Sequence, residues 1–333
     1  MTQRIKVGVI GVGHLGEHHA RIYSELSQAE LVGIFDLDLD KSKSKAEKYK
    51  TTYFKELNEL LEKVEAVSLV VPTSSHYEVA KKILDRNVHI LIEKPITETV
   101  QQAEELIQIA KNKNLTLQVG HIERFNPALW AVENIKLEPK FIESHRLSSF
   151  KERGTDVAVI LDLMIHDLDL VLYLVKDKIK SVEASGVSVI AETEDIANAR
   201  ITFEKGCVAN VTASRISARP MRKLRIFQKN AYLSLDFLEK SAEIYELVEI
   251  PRTKIPVDKT VVGEIPAEKL GKTIIYRKLE TKQEDMLTSE LSSFLQAVAE
   301  KIPPLVTGKQ AKQALELALL IREKAALHRK MTR

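Results

Sequence analysis

Short apolar runs alternate with amphipathic stretches through the first third of the chain. Lys6–Ile10, Leu31–Phe35, Ala66–Val71, Val88–Ile92 and Thr116–Val119 are apolar at most positions. Such runs suit strands covered on both faces. Between them, Ser75–Arg86 sets Tyr77, Ala80, Ile83 and Leu84 on one helical face, and Glu98–Asn112 does the same with Ala103, Leu106, Ile107 and Ala110. Strands and helices in this alternation predict right-handed crossovers and a doubly wound parallel sheet.

Past about residue 122 the pattern changes. Lys140–Phe150, Ile179–Ile190, Ile196–Phe203, Val208–Arg215, Lys223–Gln228, Ala231–Phe237 and Ala242–Glu249 read as strands, several of them alternating. Lys205-Gly206 predicts a hairpin turn. One helix is expected at Val157–Val175, and two more, Ser289–Lys301 and Gly308–His328, close the chain around Ile302-Pro-Pro304. Pro251–Asp285 is polar and poorly periodic, and is expected to be a long excursion. The expected fold is thus an α/β Rossmann domain over 1–121 and an α+β domain over 122–333.

A chain of 333 residues fits two such domains. Fifty basic residues against 47 acidic ones leave a net charge of +3. That balance argues against a nucleic-acid partner, which needs a basic excess on one face. The single cysteine, Cys207, supplies neither an intrachain disulfide nor a four-ligand zinc site and reads as a buried bystander. No apolar run approaches the ~18 residues of a membrane span, and no secretory leader is evident. The expectation is a soluble cytoplasmic chain with no membrane partner.

Gly11-Val-Gly13-His14-Leu15-Gly16 follows the first strand directly and opens a helix. Gly11 allows the tight turn, Gly13 lets backbone approach a pyrophosphate, and Gly16 lets helix pack on strand, while the helix N-terminus attracts the anion. The next strand ends in Asp36, twenty positions beyond Gly16. A carboxylate there binds ribose hydroxyls and repels a 2′-phosphate, which predicts NAD rather than NADP. The lysines of Lys41–Lys48 are the feature that would tolerate such a phosphate.

Two further clusters carry chemistry. Glu93-Lys94-Pro95 ends the fourth strand, on the side of an open sheet where ligands bind. Asp162-Leu-Met-Ile-His166-Asp167 lies in an apolar helix, where i and i+4 spacing places Asp162 and His166 on one face. A histidine can serve there as general acid or base, or be a core residue satisfied by its neighbouring Asp167. No metal site is expected, since further ligands are not evident. His18 and His19 in the first helix, and Trp130, read as packing or surface residues.

The glycine turn, Pro72-Thr-Ser-Ser-His76, Glu93-Lys94-Pro95 and Asp162-xxx-His166-Asp167, in this order, resemble the glucose–fructose oxidoreductase, inositol dehydrogenase and MocA family. Glu290-Leu-Ser-Ser-Phe294 and Pro304-Leu-Val-Thr-Gly308 also resemble its last helices. The resemblance implies a C-terminal domain built on a large, open, mostly antiparallel sheet that joins subunits into a homodimer or homotetramer. It implies Lys94 and His166 as catalytic and Asp162 as the substrate-holding acid. Pro72, Thr73, His76 and Glu93 would lie along the cofactor. Asp156–Leu161 departs from the glycine-rich stretch many members carry there.

Gly120–Pro127, Glu143–Arg146 and Asp162–Asp167 resemble one subgroup more narrowly. That subgroup oxidises the 3-hydroxyl of UDP-N-acetylglucosamine ahead of a transamination, on the way to a 3-amino sugar of lipid A. A UDP-sugar carries a pyrophosphate, for which Arg124, Asn126, Arg146, Arg153 and Arg215 are the expected contacts, with Arg219 nearby. The alternatives are a dehydrogenase of a free sugar, inositol or diol, and an inert cofactor-sensing regulator.

Overall fold

The computed structural model describes residues 4–150, 157–249, 260–265 and 272–331. It divides into two compact units, Met1–Ile122 with Glu284–Glu316, and Glu123–Gln283 with Leu317–Arg333.

The first unit opens with β1 (Ile5–Ile10), α1 (His14–Glu25), β2 (Ala29–Phe35), α2 (Leu39–Lys48) and β3 (Thr52–Tyr53). It continues through α3 (Leu57–Leu61), β4 (Ala66–Leu69), α4 (His76–Asp85), β5 (His89–Glu93), α5 (Val100–Asn112) and β6 (Leu117–Gly120). The six strands are parallel, in the order β3-β2-β1-β4-β5-β6. The order reverses between β1 and β4, which opens a ligand crevice at their carboxyl ends. The short β3 has no apolar run to announce it.

The second unit carries a four-residue helix, α6 (Pro127–Trp130), then β7 (Phe141–Leu147) and α7 (Ile165–Val175). Its remaining strands are β8 (Ile179–Val187), β9 (Ile196–Phe203), β10 (Val208–Ser214), β11 (Met221–Gln228), β12 (Ala231–Asp236), β13 (Ser241–Val248), β14 (Thr260–Ile265) and β15 (Lys272–Leu279). All nine strands form one sheet, ordered β14-β15-β13-β12-β11-β7-β10-β9-β8 and antiparallel except for β7 beside β10. The Lys205-Gly206 turn joins β9 to β10, with Gly206 at φ +91. The expected excursion is corrected: Pro251–Asp285 contains β14 and β15, which extend the sheet. β14 is only six residues long and has Gly263 within it, while β15 carries Lys272, Arg277 and Lys278 and turns only Thr273 and Ile275 wholly inward, so the period is faint.

Two helices close the chain, α8 (Met286–Glu300) and α9 (Gly308–Met331). The apolar face of α8 returns to the first unit, where Leu287, Leu291, Phe294, Leu295 and Val298 pack with Val9, Ala20, Tyr23 and Leu91. The stretch Glu284–Glu316 therefore belongs to the Rossmann unit, although it follows the second unit's strands in sequence. Among the described residues no helix is long and apolar enough to cross a membrane.

Candidate active site

The glycine turn is built as its spacing predicts. Gly11 sits at φ +84, and a Cβ there would lie 2.5 Å from the Val70 carbonyl oxygen. A Cβ on Gly16 would lie 1.9 Å from the Gly11 oxygen, so only hydrogen lets α1 approach the turn. A Cβ on Gly13 would meet nothing within 4 Å, which leaves open surface at the α1 N-terminus for a pyrophosphate. His14 and Leu15 are exposed beside it. Asp36, at the end of β2, accepts the Val12 N–H at 2.8 Å and the Asp38 N–H at 3.0 Å.

Three of the four lysines in Lys41–Lys48 are already engaged. Lys45 and Lys48 reach Glu17 at 2.5 and 2.8 Å, and Lys41 lies 3.4 Å from Asp38. Hydrogen bonds from Lys45, then Lys48, hold the Glu17 carboxyl down at about 2. With these cations paired and Asp36 at the strand end, the surface suits a ribose better than a 2′-phosphate.

Pro72 and Thr73 open a 3₁₀ turn after β4 and keep accessible surface. His76 does not: it is 1% exposed, and its two ring nitrogens lie 2.9 Å from the carbonyl oxygens of Val71 and Pro95. Burial holds its imidazole below the ordinary value against the pull of those carbonyls. The expected cofactor contact at His76 is thus corrected. The side chain braces the β4 loop against the turn after β5, because both of its nitrogens are turned inward. Glu93 and Lys94 end β5, and the Lys94–Pro95 peptide is cis.

In the second unit, the stretch expected as one α-helix begins with a π-helical turn at Ile160–Met164 and continues as α7. Asp162 lies within the π turn, so the i, i+4 geometry that grouped it with His166 does not carry across. Both residues are half-buried. Asp167 is not a partner supplied to His166, as one reading had it. It accepts Arg146 Nε at 2.6 Å and Ser144 Oγ at 2.9 Å.

That pairing belongs to a buried charge network. Arg146 Nη1 also donates to Glu123 at 2.7 Å, and Arg124 makes a two-pronged contact with Asp169 at 2.6 and 3.1 Å while lying 3.9 Å over the Tyr173 ring. Asn126 caps α6, donates to Glu123 at 3.0 Å and to the Phe237 carbonyl at 3.1 Å, and is fully buried. Arg215 donates to the carbonyls of Val157 at 2.5 Å and Glu194 at 3.0 Å. The expectation for these four residues is corrected on physical grounds: their donors are directed into the fold. Arg153 lies outside the described residues.

Sequence reasoning passed over Arg222, on β11 in register with Arg146. It is 43% exposed and lies 3.5 Å from Glu123, too far for a hydrogen bond. Burial, then the charge of Arg146, lowers its pKa. Only strand register reveals this cation; spacing along the chain carries no sign of it. Cys207 is buried, and burial pushes its thiol up to about 11.

A parallel sheet whose first strand feeds this glycine turn, with an acid ending the second strand, defines a dinucleotide-binding Rossmann protein. Comparisons with known proteins narrow the class. The model described as "Oxidoreductase family, NAD-binding Rossmann fold" matches residues 5–121, and the GFO/IDH/MocA C-terminal domain matches 138–234. The UDP-N-acetylglucosamine 3-dehydrogenase of Acidithiobacillus ferrooxidans is 37% identical over 96% of this chain and 96% of its own length. A solved structure of that enzyme superposes with a TM-score of 0.87, at 35% identity, covering 98% of this chain and 99% of the other. The myo-inositol 2-dehydrogenase of Thermotoga maritima is 24% identical over 94% of each chain. The chain belongs to the Gfo/Idh/MocA oxidoreductase family. Its cofactor is NAD, and it is an NAD-dependent oxidoreductase.

Proposed function

We propose that the chain oxidises the 3-hydroxyl of UDP-N-acetylglucosamine to the 3-keto sugar. The observation that carries this reading is the likeness, over nearly the whole of both chains, to an enzyme named for that reaction. The inositol dehydrogenase from Thermotoga maritima is more distant over a similar length. The product suits a following transamination to a 3-amino sugar of the lipid A type, in the cytoplasm.

The open glycine turn, the α1 N-terminus and Asp36 fit the pyrophosphate and adenosine ribose of NAD. Pro72, Thr73 and Glu93 continue that surface. Bound NAD supplies the hydride acceptor. His166 takes the proton of the reacting hydroxyl, as a half-buried imidazole is suited to do. Lys94 stabilises the alkoxide that develops as the proton leaves, by a charge-assisted contact. Asp162 holds the hydroxyl and orients the sugar. Arg222, and Arg219 in the exposed loop before β11, are the cations we assign to the UDP diphosphate.

Self-association through the nine-stranded sheet completes the reading, as a homodimer or homotetramer. It is supported by five rings aligned on its less buried face. Phe141, Phe227, Tyr232, Tyr245 and Tyr276 follow one another across β7, β11, β12, β13 and β15, with centroids 4.8 to 5.7 Å apart.

The test is a substrate panel. The protein is incubated with NAD and UDP-N-acetylglucosamine, myo-inositol or glucose, and absorbance of the reduced cofactor is followed. Turnover of the UDP-sugar, abolished in Lys94→Ala with NAD binding retained, is expected. Turnover of free polyols alone would overturn the substrate. Tight NAD binding with no turnover of any sugar would instead favour the inert regulator.

A further inference from the structure

The Rossmann unit contains a buried polar group that the proposed chemistry leaves unused. His19, on α1, is fully buried, and its Nε2 lies 3.3 Å from Glu93 Oε1, within ion-pair reach but outside hydrogen-bond alignment. Glu290, on α8, is also fully buried, and among the described residues neither of its carboxyl oxygens has a hydrogen-bond partner. Gln118, on β6, donates its amide to the Glu290 backbone carbonyl at 3.2 Å, while its own Oε1 lacks a partner among those residues. On the outer side of this group, Glu93 Oε2 accepts the Lys94 N–H at 3.2 Å. A Cβ on Gly120 would lie 2.9 Å from the Glu93 carboxylate, so that strand is bare where the acid rests.

Gln118 touches Glu290 and Gly120 touches the Glu93 carboxylate, and these two strand residues share one face of β6, so the two glutamates adjoin there. Two ionised carboxylates so placed repel each other and lose hydration, so one keeps its proton. Glu290 is that one. It is wholly enclosed, whereas the Glu93 side chain keeps 12% of its surface. Burial, then the charge of Glu93, raises the Glu290 carboxyl well above the ordinary value. Tyr23 on α1 also faces it, with its hydroxyl bound to Ser68 at 2.8 Å. A neutral acid offers both a donor and an acceptor to its surroundings. His19 sets a ring nitrogen within ion-pair reach of Glu93, at 3.3 Å.

We propose that His19 and Glu290 are positioning residues for Lys94: with Gln118 they form a buried polar seat for the Glu93 carboxylate, which holds the Lys94 amide and so the turn that presents the lysine. The proposal rests on the catalytic role assigned to Lys94 above. It explains why the closing helix brings a glutamate into a core of Val9, Ala20, Leu291 and Phe294. Mere filling of that core predicts the opposite behaviour, since apolar side chains of similar volume replace buried polar groups at little cost or with a gain in stability.

The experiment uses the full chain. His19→Leu and Glu290→Leu keep volume and lose polarity; His19→Gln and Glu290→Gln keep hydrogen-bonding groups. Turnover with UDP-N-acetylglucosamine, NAD affinity and thermal melting are measured for each. Infrared difference spectra between wild type and Glu290→Gln are recorded in water and deuterium oxide. The leucine variants are expected to lower kcat roughly tenfold or more, the scale of a misplaced catalytic group, with NAD affinity retained. The glutamine variants recover most of that loss. At neutral pH the wild type shows the carbonyl stretch of a protonated carboxylic acid, sensitive to deuterium and missing from Glu290→Gln. That band is read on the wild type, so it tests the proposal even where a leucine variant fails to fold. Lys94-dependent turnover with both leucine variants unimpaired, or a missing band, overturns this proposal alone. Full turnover in Lys94→Ala overturns the role of Lys94 and the proposal with it.

Discussion

Asp36 Oδ2 accepts the backbone N–H of Val12 at 2.8 Å, so the acid that ends β2 is tied to the glycine turn that ends β1. The carboxylate is thereby fixed beside the cofactor surface, and its charge opposes a 2′-phosphate. Leu37, next to it, is 91% exposed and can be replaced without disturbing packing. Asp36→Ser combined with Leu37→Arg is expected to lower kcat/KM with NAD by roughly ten- to hundredfold, the worth of a charge-assisted hydrogen bond, and to raise it with NADP. Steady-state kinetics with both cofactors check this. An unchanged preference would show that Asp36 does not select.

Gly13 and Gly16 stand three residues apart and separate binding from folding. Gly13→Ala meets open space in the protein, so its melting temperature is expected to stay near that of the wild type while NAD affinity falls steeply. Gly16→Ala drives a methyl into the Gly11 oxygen and is expected to destabilise the fold by about 1–3 kcal/mol, the usual cost of overpacking. Urea unfolding and NAD titration of the two variants distinguish these outcomes.

The Rossmann half was legible because its signals are local: apolar runs, a glycine turn and an acid twenty residues on. Register and long-range pairing were not. Arg124, Arg146 and Arg215 look like candidates for an anion when only their place in the chain is known. Their carboxylate and carbonyl partners lie 21 to 58 residues away, and only the fold brings them together. Arg222 gains its surroundings from a strand register with Arg146 that no spacing encodes. The π turn at Ile160–Met164 was hidden for a related reason, since its residues are apolar in the same way as those of an α-helix.

The Arg146–Asp167 pair is the sharpest test of that correction. Both side chains are about 3% exposed or less. Arg146→Ala leaves Asp167 without its guanidinium and Glu123 with only the longer Arg222 contact and Asn126, and is expected to cost roughly 3–5 kcal/mol in chemical denaturation. Arg222→Ala removes a half-exposed cation instead. It is expected to leave stability nearly unchanged and to raise KM for UDP-N-acetylglucosamine about tenfold or more, with KM for NAD unaffected. The reverse pattern would restore Arg146 as a substrate contact.

Glu17 gives the fold a dependence on acid. Its carboxyl is held at about 2 by Lys45 and Lys48, below the ordinary 4.5. A depressed value means that the folded state favours the ionised form. The contribution is therefore complete above pH 4.5 and is lost as pH falls from there through about 2. Glu17→Gln removes it. The difference in melting temperature between wild type and Glu17→Gln is expected to shrink across that window; a constant difference would mean the lysine contacts add nothing.

The aromatic row on the large sheet makes the last prediction. Phe227 is 38% exposed, and its ring stacks on Tyr232 at 4.8 Å. On the opposite face of the same strands, Ile142, Ile226, Leu233 and Ile244 are buried, so the rings are not needed for that core. An open face that gathers five aromatic rings is costly to leave in water and suits a second copy of the sheet. Tyr232→Glu places a charge within the row while leaving the inner face untouched. Light scattering is expected to find the wild type at a multiple of the monomer mass and the variant at the monomer mass, with its secondary structure retained. A wild-type monomer, or a variant that still assembles, would direct the search for an interface to another surface.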